Sequence, residues 1–168
     1  HIPLRRQRQM CIRDSYKTGR LFEASAKSAA MLSGKSIPFI ENISKAAKLI
    51  GIAFQVRDDL LDYGVSKGNI GKPEMQDILE DKITYPLYFA LKNSSKKDSS
   101  KILKKLKNKD FSIEEVADFV SSSNAFNKCN SLIQNYNNEI SKCINQISNK
   151  EIRDEMLNLS ESLKNRYE

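Results

Sequence analysis

The stretch Phe54-Gln55-Val56-Arg57-Asp58-Asp59-Leu60-Leu61-Asp62 places three carboxylates within an otherwise apolar helical sequence. On an α-helix, Asp58 and Asp62 lie one turn apart and share a face, with Asp59 roughly 100° around the axis from Asp58. A solvated acidic face is the alternative interpretation, and the apolar side chains around the acids leave little room for one. Oxygen ligands without a nearby His or Cys favour a hard cation such as magnesium, which is usually completed by substrate phosphates. The stretch therefore predicts a magnesium site.

The sequence around this stretch is helical in pattern. No segment alternates with period two for long enough to predict a strand. An Ala-rich helix is predicted over residues 16–33 and is closed by Gly34. Pro38 opens the next helix, which runs to the acids and ends at Tyr63-Gly64. We therefore expect an all-α fold.

The second half of the chain continues this pattern. A helix is predicted over about residues 76–93, with Pro86 bending it or ending its first segment. Ser112 followed by Glu115 predicts a capping box at the start of a short helix. Apolar residues at three- and four-residue spacings then mark two longer helices, with Cys129, Ile133, Tyr136, Ile140, Cys143 and Ile147 in one, and Ile152, Met156, Leu159 and Leu163 in the other. Such stripes are typical of bundle walls, and their interruption by Ser and Asn disfavours a partner-binding coiled coil.

Composition places the chain among soluble globular proteins. Its 168 residues, 39% hydrophobic and 29% charged, are enough for one compact domain. The net charge of +7 raises the question of nucleic-acid binding. Four arginines against one aspartate in residues 1–15 account for +3 of it, and the remaining lysines are scattered without interleaved aromatic residues. The sequence therefore disfavours a nucleic-acid partner, and no apolar run approaches the length of a transmembrane helix.

Residues 1–15 differ from the rest of the chain. They are Arg-rich, whereas the remainder is rich in Lys and Asn, and they begin without Met. We interpret them as a non-native leader and residues 16–168 as the folded part. An Arg-rich targeting peptide is the alternative, although an apolar segment of the secretory type is lacking.

The three cysteines predict a reducing compartment. Cys11, Cys129 and Cys143 are odd in number and widely spaced, and they contain no C-x-x-C pair. Cys129 and Cys143 fall in one predicted helix, about 21 Å apart at the helical rise, so they cannot form a disulfide with each other. We expect free thiols in a cytoplasmic protein.

Three further polar segments accompany the acids. They are Lys17-Thr18, Gly71-Lys72-Pro73 and Asp81-Lys82-Ile83-Thr84. Taken singly, each lysine is best read as a surface residue. A lysine in a glycine-containing loop directly after an acidic metal motif, however, suits a diphosphate held between magnesium and ammonium charges.

The order and spacing of these segments resemble the C-terminal half of the trans-isoprenyl (polyprenyl) diphosphate synthases. The resemblance covers residues 16–167 and rests on a run of short motifs, which are Lys17-Thr18, Phe54-Gln55-x-x-Asp58-Asp59-x-x-Asp62, Gly71-Lys72-Pro73, Asp77-x-x-Glu80-x-Lys82-x-Thr84-x-Pro86-Leu87, Phe111-Ser112-x-Glu114-Glu115-Val116 and Arg166-Tyr167. Two positions depart from the family pattern. Met75 stands where Gly is common, and Asp81 stands where Gly often precedes the lysine matched by Lys82.

The resemblance implies a fold and a reaction. The fold would be the helical bundle of isoprenoid synthases, present here in its C-terminal half, with Asp58, Asp59 and Asp62 as the second of two facing metal motifs. The reaction would be magnesium-assisted prenyl transfer from an allylic prenyl diphosphate to isopentenyl diphosphate, through an allylic carbocation, by a homodimeric enzyme. Because the resemblance does not include the first motif, we expect the 168-residue chain alone to be inactive.

The resemblance also assigns roles to individual residues. The expected metal ligands are Asp58, Asp59 and Asp62, the expected diphosphate contacts are Lys17, Lys72, Lys82 and Arg166, and the expected catalytic residues are Lys17, Thr18, Gln55 and Asp58. Two alternatives remain open. A non-catalytic subunit of a heteromeric prenyl synthase is disfavoured by the retention of all three acids. A terpene cyclase is disfavoured because its second metal motif generally mixes Asn, Ser or Thr with Glu.

Overall fold

The described residues of the computed structural model are 18–64, 75–80 and 82–165, with side chains described up to residue 161. Within these ranges the chain forms eight α-helices and no strand, which confirms the predicted all-α fold. The helices are α1 (Arg20–Leu32), α2 (Ile37–Leu61), α3 (Gln76–Leu79), α4 (Tyr85–Asn93), α5 (Lys96–Asn108), α6 (Ile113–Ser121), α7 (Ala125–Asn145) and α8 (Lys150–Asn165). None of these helices is long and apolar enough to cross a membrane.

Glycine and proline residues mark the ends of the first two helices, as predicted. Gly34 adopts a left-handed conformation with φ of 63°. The backbone N–H of Lys35 donates to the carbonyl of Ala30 at 3.1 Å, which closes α1 with a Schellman-type turn. Pro38 occupies the second position of α2, where its missing N–H leaves no hydrogen bond unmade. Gly64, with φ of 68°, follows the last turn of α2, as the sequence predicted.

The prediction of one continuous helix over residues 76–93 is wrong, because two separate helices form there. Helix α3 contains four residues, and α4 begins after Thr84, whose backbone is extended with ψ of 176°. Proline disfavours helical geometry upstream of itself and lacks an N–H, so Pro86 fits in the first turn of a new helix and not in the interior of a longer one. The expected interruption is therefore confirmed, although the first segment already ends at Leu79 and Pro86 lies in the first turn of the second.

Helix α5 was missed by the sequence analysis, although it has a clear start signal. The Ser95 hydroxyl accepts a hydrogen bond from the backbone N–H of Asp98 at 3.1 Å. This is the same cap that Ser112 forms with the backbone N–H of Glu115 in α6, also at 3.1 Å. The Glu115 carboxylate is bound by the Lys105 ammonium at 2.6 and 2.7 Å. The lysine-rich sequence of α5 obscured its apolar stripe.

The chain divides into two compact units. The first unit contains the described residues between Val56 and Ser131. Helix α4 packs there against both α5 and α6. The fully buried residues of its main core are Met75, Ile78, Leu87, Ala90, Ile102, Val116, Val120 and Ala125.

The second unit contains the described residues up to Gln55 and those from Leu132 onward. Its core is formed by α2 and α7, with buried residues Ala46, Ile50, Ile140, Cys143 and Ile144. Phe22 of α1 and Met156 of α8 pack against this cluster. Cys143 in this core and Cys129, which lies in the part of α7 that belongs to the first unit, are free, buried thiols, as predicted. Burial raises the pKa of Cys129 to about 12.

Met75 is the position at which Gly was expected from the family pattern. It has a left-handed backbone, with φ of 61° and ψ of 27°, yet its side chain is only 2% exposed within the first core. Replacing it with Gly would relieve backbone strain of about 1–2 kcal/mol. It would also remove a buried Met side chain, a change that typically costs about 2–5 kcal/mol.

We therefore expect Met75→Gly to lower the free energy of unfolding by about 2 kcal/mol, because core packing outweighs backbone strain. Urea denaturation followed by circular dichroism measures this change. Met75→Leu, which keeps both the strain and the buried volume, is the matched control and should cost less than about 1.5 kcal/mol. A Met75→Gly variant more stable than the unmodified chain would show that strain dominates.

Candidate functional site at the end of helix α2

Helix α2 carries Gln55, Asp58 and Asp59, and Asp62 directly follows its last residue. Gln55 is 8% exposed, and its side-chain oxygen accepts a hydrogen bond from the Thr18 hydroxyl at 2.9 Å. These two predicted catalytic residues are 37 positions apart in sequence, and the second unit brings them into contact. The bond holds the Gln55 amide next to the Thr18 hydroxyl.

A close approach between backbones makes this contact possible. A Cβ atom on Gly51 would lie 3.0 Å from the Cα of Gly19 and 3.1 Å from the carbonyl oxygen of Thr18. Both distances are below ordinary van der Waals separation, so a larger residue at position 51 would push Thr18 away from Gln55. The absence of a side chain at Gly51 therefore lets the start of α1 reach α2.

Asp62 is bound by the backbone of the following helix. Its Oδ1 accepts a hydrogen bond from the N–H of Gln76 at 3.0 Å, and its Oδ2 accepts one from the N–H of Asp77 at 3.1 Å. The N–H of Met75 donates to the Asp62 carbonyl oxygen at 2.7 Å. Asp62 thus satisfies donors in the first turn of α3 that have no partner within the helix.

Asp59 has a similar role towards α4. It is only 2% exposed, and its Oδ2 accepts a hydrogen bond from the backbone N–H of Tyr85 at 3.2 Å. A buried carboxylate needs such donors, since desolvation without them is costly. Two of the three acids predicted as metal ligands therefore contact the N-terminal turns of the next two helices.

Burial raises the pKa of Asp62 above its ordinary value. The N–H groups of Asp77 and Gln76 oppose this shift, while the negative charges of Asp77 and Asp58 add to it. Accumulated negative charge of this kind is relieved by a cation. The electrostatics around Asp62 are therefore compatible with a divalent metal nearby.

Asp58 differs from its two neighbours. Its side chain is partly exposed, and no hydrogen bond to its carboxylate occurs within the described ranges. It lies one turn before Asp62, whose backbone N–H donates to the Asp58 carbonyl at 3.2 Å. Its carboxylate oxygens are therefore available to an added cation.

The acids do not form a complete metal site by themselves. Among residues 18–64, 75–80 and 82–161, no three His, Cys, Asp or Glu side chains converge as metal ligands do. The donor chemistry nevertheless fits magnesium, because the available groups are carboxylate oxygens and the ion accepts one or two of them together with phosphates and water. The role of Asp58, Asp59 and Asp62 as metal ligands therefore stays a prediction.

Two buried hydroxyls next to the acids escaped the sequence analysis. The Tyr63 hydroxyl and the Thr84 hydroxyl form no ideal hydrogen bond within the described part of the chain. Burial raises the pKa of Tyr63 strongly, and the nearby Thr84 hydroxyl offsets this only in part. The aspartate motif ends just before Tyr63, and Thr84 belongs to the motif that begins at Asp77, but nothing in their spacing indicates that the two side chains meet.

Lys82 is engaged by acidic neighbours. Its ammonium binds Asp77 at 3.3 Å and also contacts the Glu80 carboxylate. The hydrogen bond to Glu80 raises the pKa of Lys82 most, and the bond to Asp77 adds to this effect, so that Lys82 is held in the charged form. Asp77 was not predicted as a site residue, although it links Lys82 to Asp62. The other predicted diphosphate contacts, Lys17, Lys72 and Arg166, lie outside the described residues.

Comparison with known proteins decides the family. A family model described as Polyprenyl synthetase matches residues 9–123, about two-thirds of the chain. This match includes Thr18, Gln55, the three acids and Lys82. The chain belongs to the polyprenyl synthetase family. The resemblance inferred from the motifs is therefore confirmed.

Individual relatives support the same assignment. The chloroplastic large subunit 1 of the heterodimeric geranylgeranyl pyrophosphate synthase of Arabidopsis thaliana is 43% identical over 79 residues, which represent 47% of this chain and 21% of that protein. A decaprenyl diphosphate synthase from Rhodobacter capsulatus superposes with a TM-score of 0.82 at 21% identity, covering 92% of this chain and 49% of that one. A polyprenyl synthase from Caulobacter crescentus CB15, solved with calcium and isoprenyl diphosphate, gives 0.80 at 22% identity, covering 92% of this chain and 48% of that one.

The two solved structures confirm the predicted isoprenoid-synthase bundle in its helical architecture. The chain spans about half of their length. The superpositions on these two structures establish the fold, whereas the family assignment rests on the sequence match over residues 9–123.

Proposed function

We propose that this chain is part of a polyprenyl diphosphate synthase, which condenses an allylic prenyl diphosphate with isopentenyl diphosphate to give a longer prenyl diphosphate. The observation that carries the proposal is the D-D-x-x-D motif at the end of α2 within the family match. The contact between Thr18 and Gln55 supports it, because it pairs two residues that the family resemblance assigns to catalysis.

In the proposed reaction, the C–O bond of the allylic diphosphate breaks and diphosphate leaves with the bonding electrons. The alkene of isopentenyl diphosphate attacks the resulting allylic cation and forms the new C–C bond. A proton is then lost, with the departing diphosphate as its acceptor. Gln55 and Thr18 would stabilise the cation through their oxygens, while Lys17 and Lys72 would bind the leaving diphosphate.

Magnesium is the proposed metal. When bound, it would neutralise charge that develops on the leaving diphosphate. Asp58 would contribute carboxylate oxygens to it, with Asp59 and Asp62 completing the motif. The oxygen-only donor set supports this assignment, as does the calcium with which the Caulobacter enzyme was solved, since calcium and magnesium share a preference for oxygen ligands.

We further propose that the full-length protein is a homodimer that associates through α1. Only Ala30 is buried in this helix. Its apolar side chains Leu21, Met31 and Leu32 are 65%, 59% and 90% exposed. Leu21 and Leu32, eleven positions apart, share one face of the helix, and exposed apolar side chains on one face support a protein interface.

We expect the full-length protein to sediment as a dimer, and the Leu21→Lys/Leu32→Lys double variant to sediment as a monomer, because the charges would have to be desolvated at the interface. Analytical ultracentrifugation measures this. Leu79→Lys, at a residue that is 50% exposed in the other unit, is the matched control and should stay dimeric. A double variant with unchanged sedimentation would show that α1 is not the interface.

The experiment that tests the proposed function compares the full-length protein with the 168-residue chain. Incubated with an allylic diphosphate and labelled isopentenyl diphosphate, the full-length protein should form a longer product and the shorter chain should form none. A non-catalytic subunit, the remaining alternative, would give no product in either form and would lack a second D-D-x-x-D motif upstream.

A cytoplasmic location is also proposed, supported by the free thiols Cys129 and Cys143.

A further inference from the structure

Three hydrogen bonds from consecutive backbone N–H groups converge on Asp62. The N–H of Met75 donates to its carbonyl oxygen at 2.7 Å. The N–H groups of Gln76 and Asp77 donate to its two carboxylate oxygens at 3.0 and 3.1 Å. One residue at the end of α2 therefore holds three successive residues of the returning chain.

This arrangement fixes both ends of the connection between α2 and α3. The chain leaves α2 at Gly64 and returns at Met75, after the ten residues 65–74. The left-handed backbone of Met75 directs the next two N–H groups towards the Asp62 side chain. Asp59 holds the following helix in the same way, through the N–H of Tyr85 at 3.2 Å.

A carboxylate suits this role better than other side chains. Each of its oxygens accepts a hydrogen bond, and a charged acceptor strengthens both bonds. An Asn side chain offers one acceptor oxygen and would turn its amide donor towards the second N–H. An Ala side chain offers no acceptor, so the two substitutions differ in the number of bonds that they remove.

We propose that Asp62 is a positioning residue whose carboxylate clamps residues 75–77 to the end of α2. The connection that it closes carries Lys72 in sequence, so the clamp fixes both ends of the segment that bears this proposed diphosphate contact. This last consequence rests on the proposed function. The clamp itself rests on the three hydrogen bonds.

Amide hydrogen exchange of the 168-residue chain, measured by NMR, tests the clamp. Asp62→Ala should accelerate exchange at both Gln76 and Asp77 by about tenfold or more, and Asp62→Asn should do so at one of them. Asp58→Asn is the matched control, because it removes a charge one turn away but no side-chain hydrogen bond within the described residues. The Val116 and Val120 amides are the internal references, because they report on the core of the same unit. The Met75 amide donates to the backbone carbonyl of Asp62 and not to its side chain.

Unchanged exchange at Gln76 and Asp77 in both Asp62 variants would overturn the clamp. Faster exchange there, with protection retained at Val116 and Val120, would support it. If Asp62→Ala does not fold, Asp62→Asn and Asp62→Glu decide the question, because Glu retains both acceptors and should restore protection that Asn loses.

The full-length protein provides the functional readout. Asp62→Asn should raise the KM for the allylic diphosphate by about tenfold, because the clamp fixes the two ends of the connection that carries Lys72 in sequence. A loss of kcat alone, with normal amide exchange, would contradict the positioning role. If the full-length protein transfers no prenyl group, the proposed function fails, and the exchange experiment still decides the clamp.

Discussion

Replacing Asp58 by Asn in the full-length protein should lower kcat for prenyl transfer by about a thousandfold or more. Within the described residues the Asp58 carboxylate accepts no hydrogen bond, whereas Asp62 accepts two from the backbone of α3 and Asp59 accepts one from that of α4. Asn keeps the size of the side chain but removes the negative charge that attracts a divalent cation. Steady-state kinetics with labelled isopentenyl diphosphate measures the change.

The control for this substitution is Lys45→Gln, which changes a charge on an exposed part of the same helix. It should leave kcat within about twofold, because solvent screens a distant surface charge. Both variants should show the helical circular dichroism of the unmodified protein. Near-normal prenyl transfer by Asp58→Asn would remove the proposed metal role of this residue.

Removal of divalent metal should abolish prenyl transfer by the full-length protein. Without a cation, the leaving diphosphate would face the negative charges of the motif and of Asp77, and ionisation of the allylic substrate would be disfavoured. Treatment with EDTA followed by gel filtration should therefore leave no detectable turnover, and added magnesium should restore it.

The matched control is the addition of sodium chloride at equal ionic strength, which screens charge but supplies no divalent ligand. It should not restore activity. Persistent turnover after chelation, at a rate near that of the untreated protein, would contradict a metal-dependent reaction. The metal prediction is thus separable from the question of which residues bind the ion.

The sequence predicted much of the fold because the residues that start and end its helices act over only a few positions. Gly34, Pro38 and Gly64 act through their own backbone preferences, and the structure places each at the expected helix end. Ser112 likewise caps α6 through a residue three positions away. Helix boundaries that depend on backbone preferences or on caps a few residues away can be predicted from the local sequence.

Features that depend on distant residues were not predictable in this way. The break between α3 and α4 depends on contacts that Asp62 and Asp59 make with backbone 14 and 26 residues later. The sequence identified these acids through their clustering with Asp58 in one short helical stretch, and it gave no indication that their oxygens bind the backbone of the following helices. The meeting of Tyr63 with Thr84 likewise requires the packed fold.

The candidate site was predicted in part for the same reason. The acids and Gln55 are adjacent on one helix, so their relationship follows from helical geometry. The contact of Gln55 with Thr18 depends on the close approach of Gly51 to Gly19, which no local pattern reveals. The roles of Lys17, Lys72 and Arg166 remain predictions from the family resemblance.

The most direct test of the central claim is a calorimetric titration of the full-length protein with inorganic pyrophosphate, in the presence and absence of magnesium. If the acids at the end of α2 serve a metal that holds diphosphate, pyrophosphate should bind at least about a hundredfold more tightly with magnesium, and Asp58→Asn should remove most of that difference. Equal affinity with and without magnesium in the unmodified protein would contradict the claim.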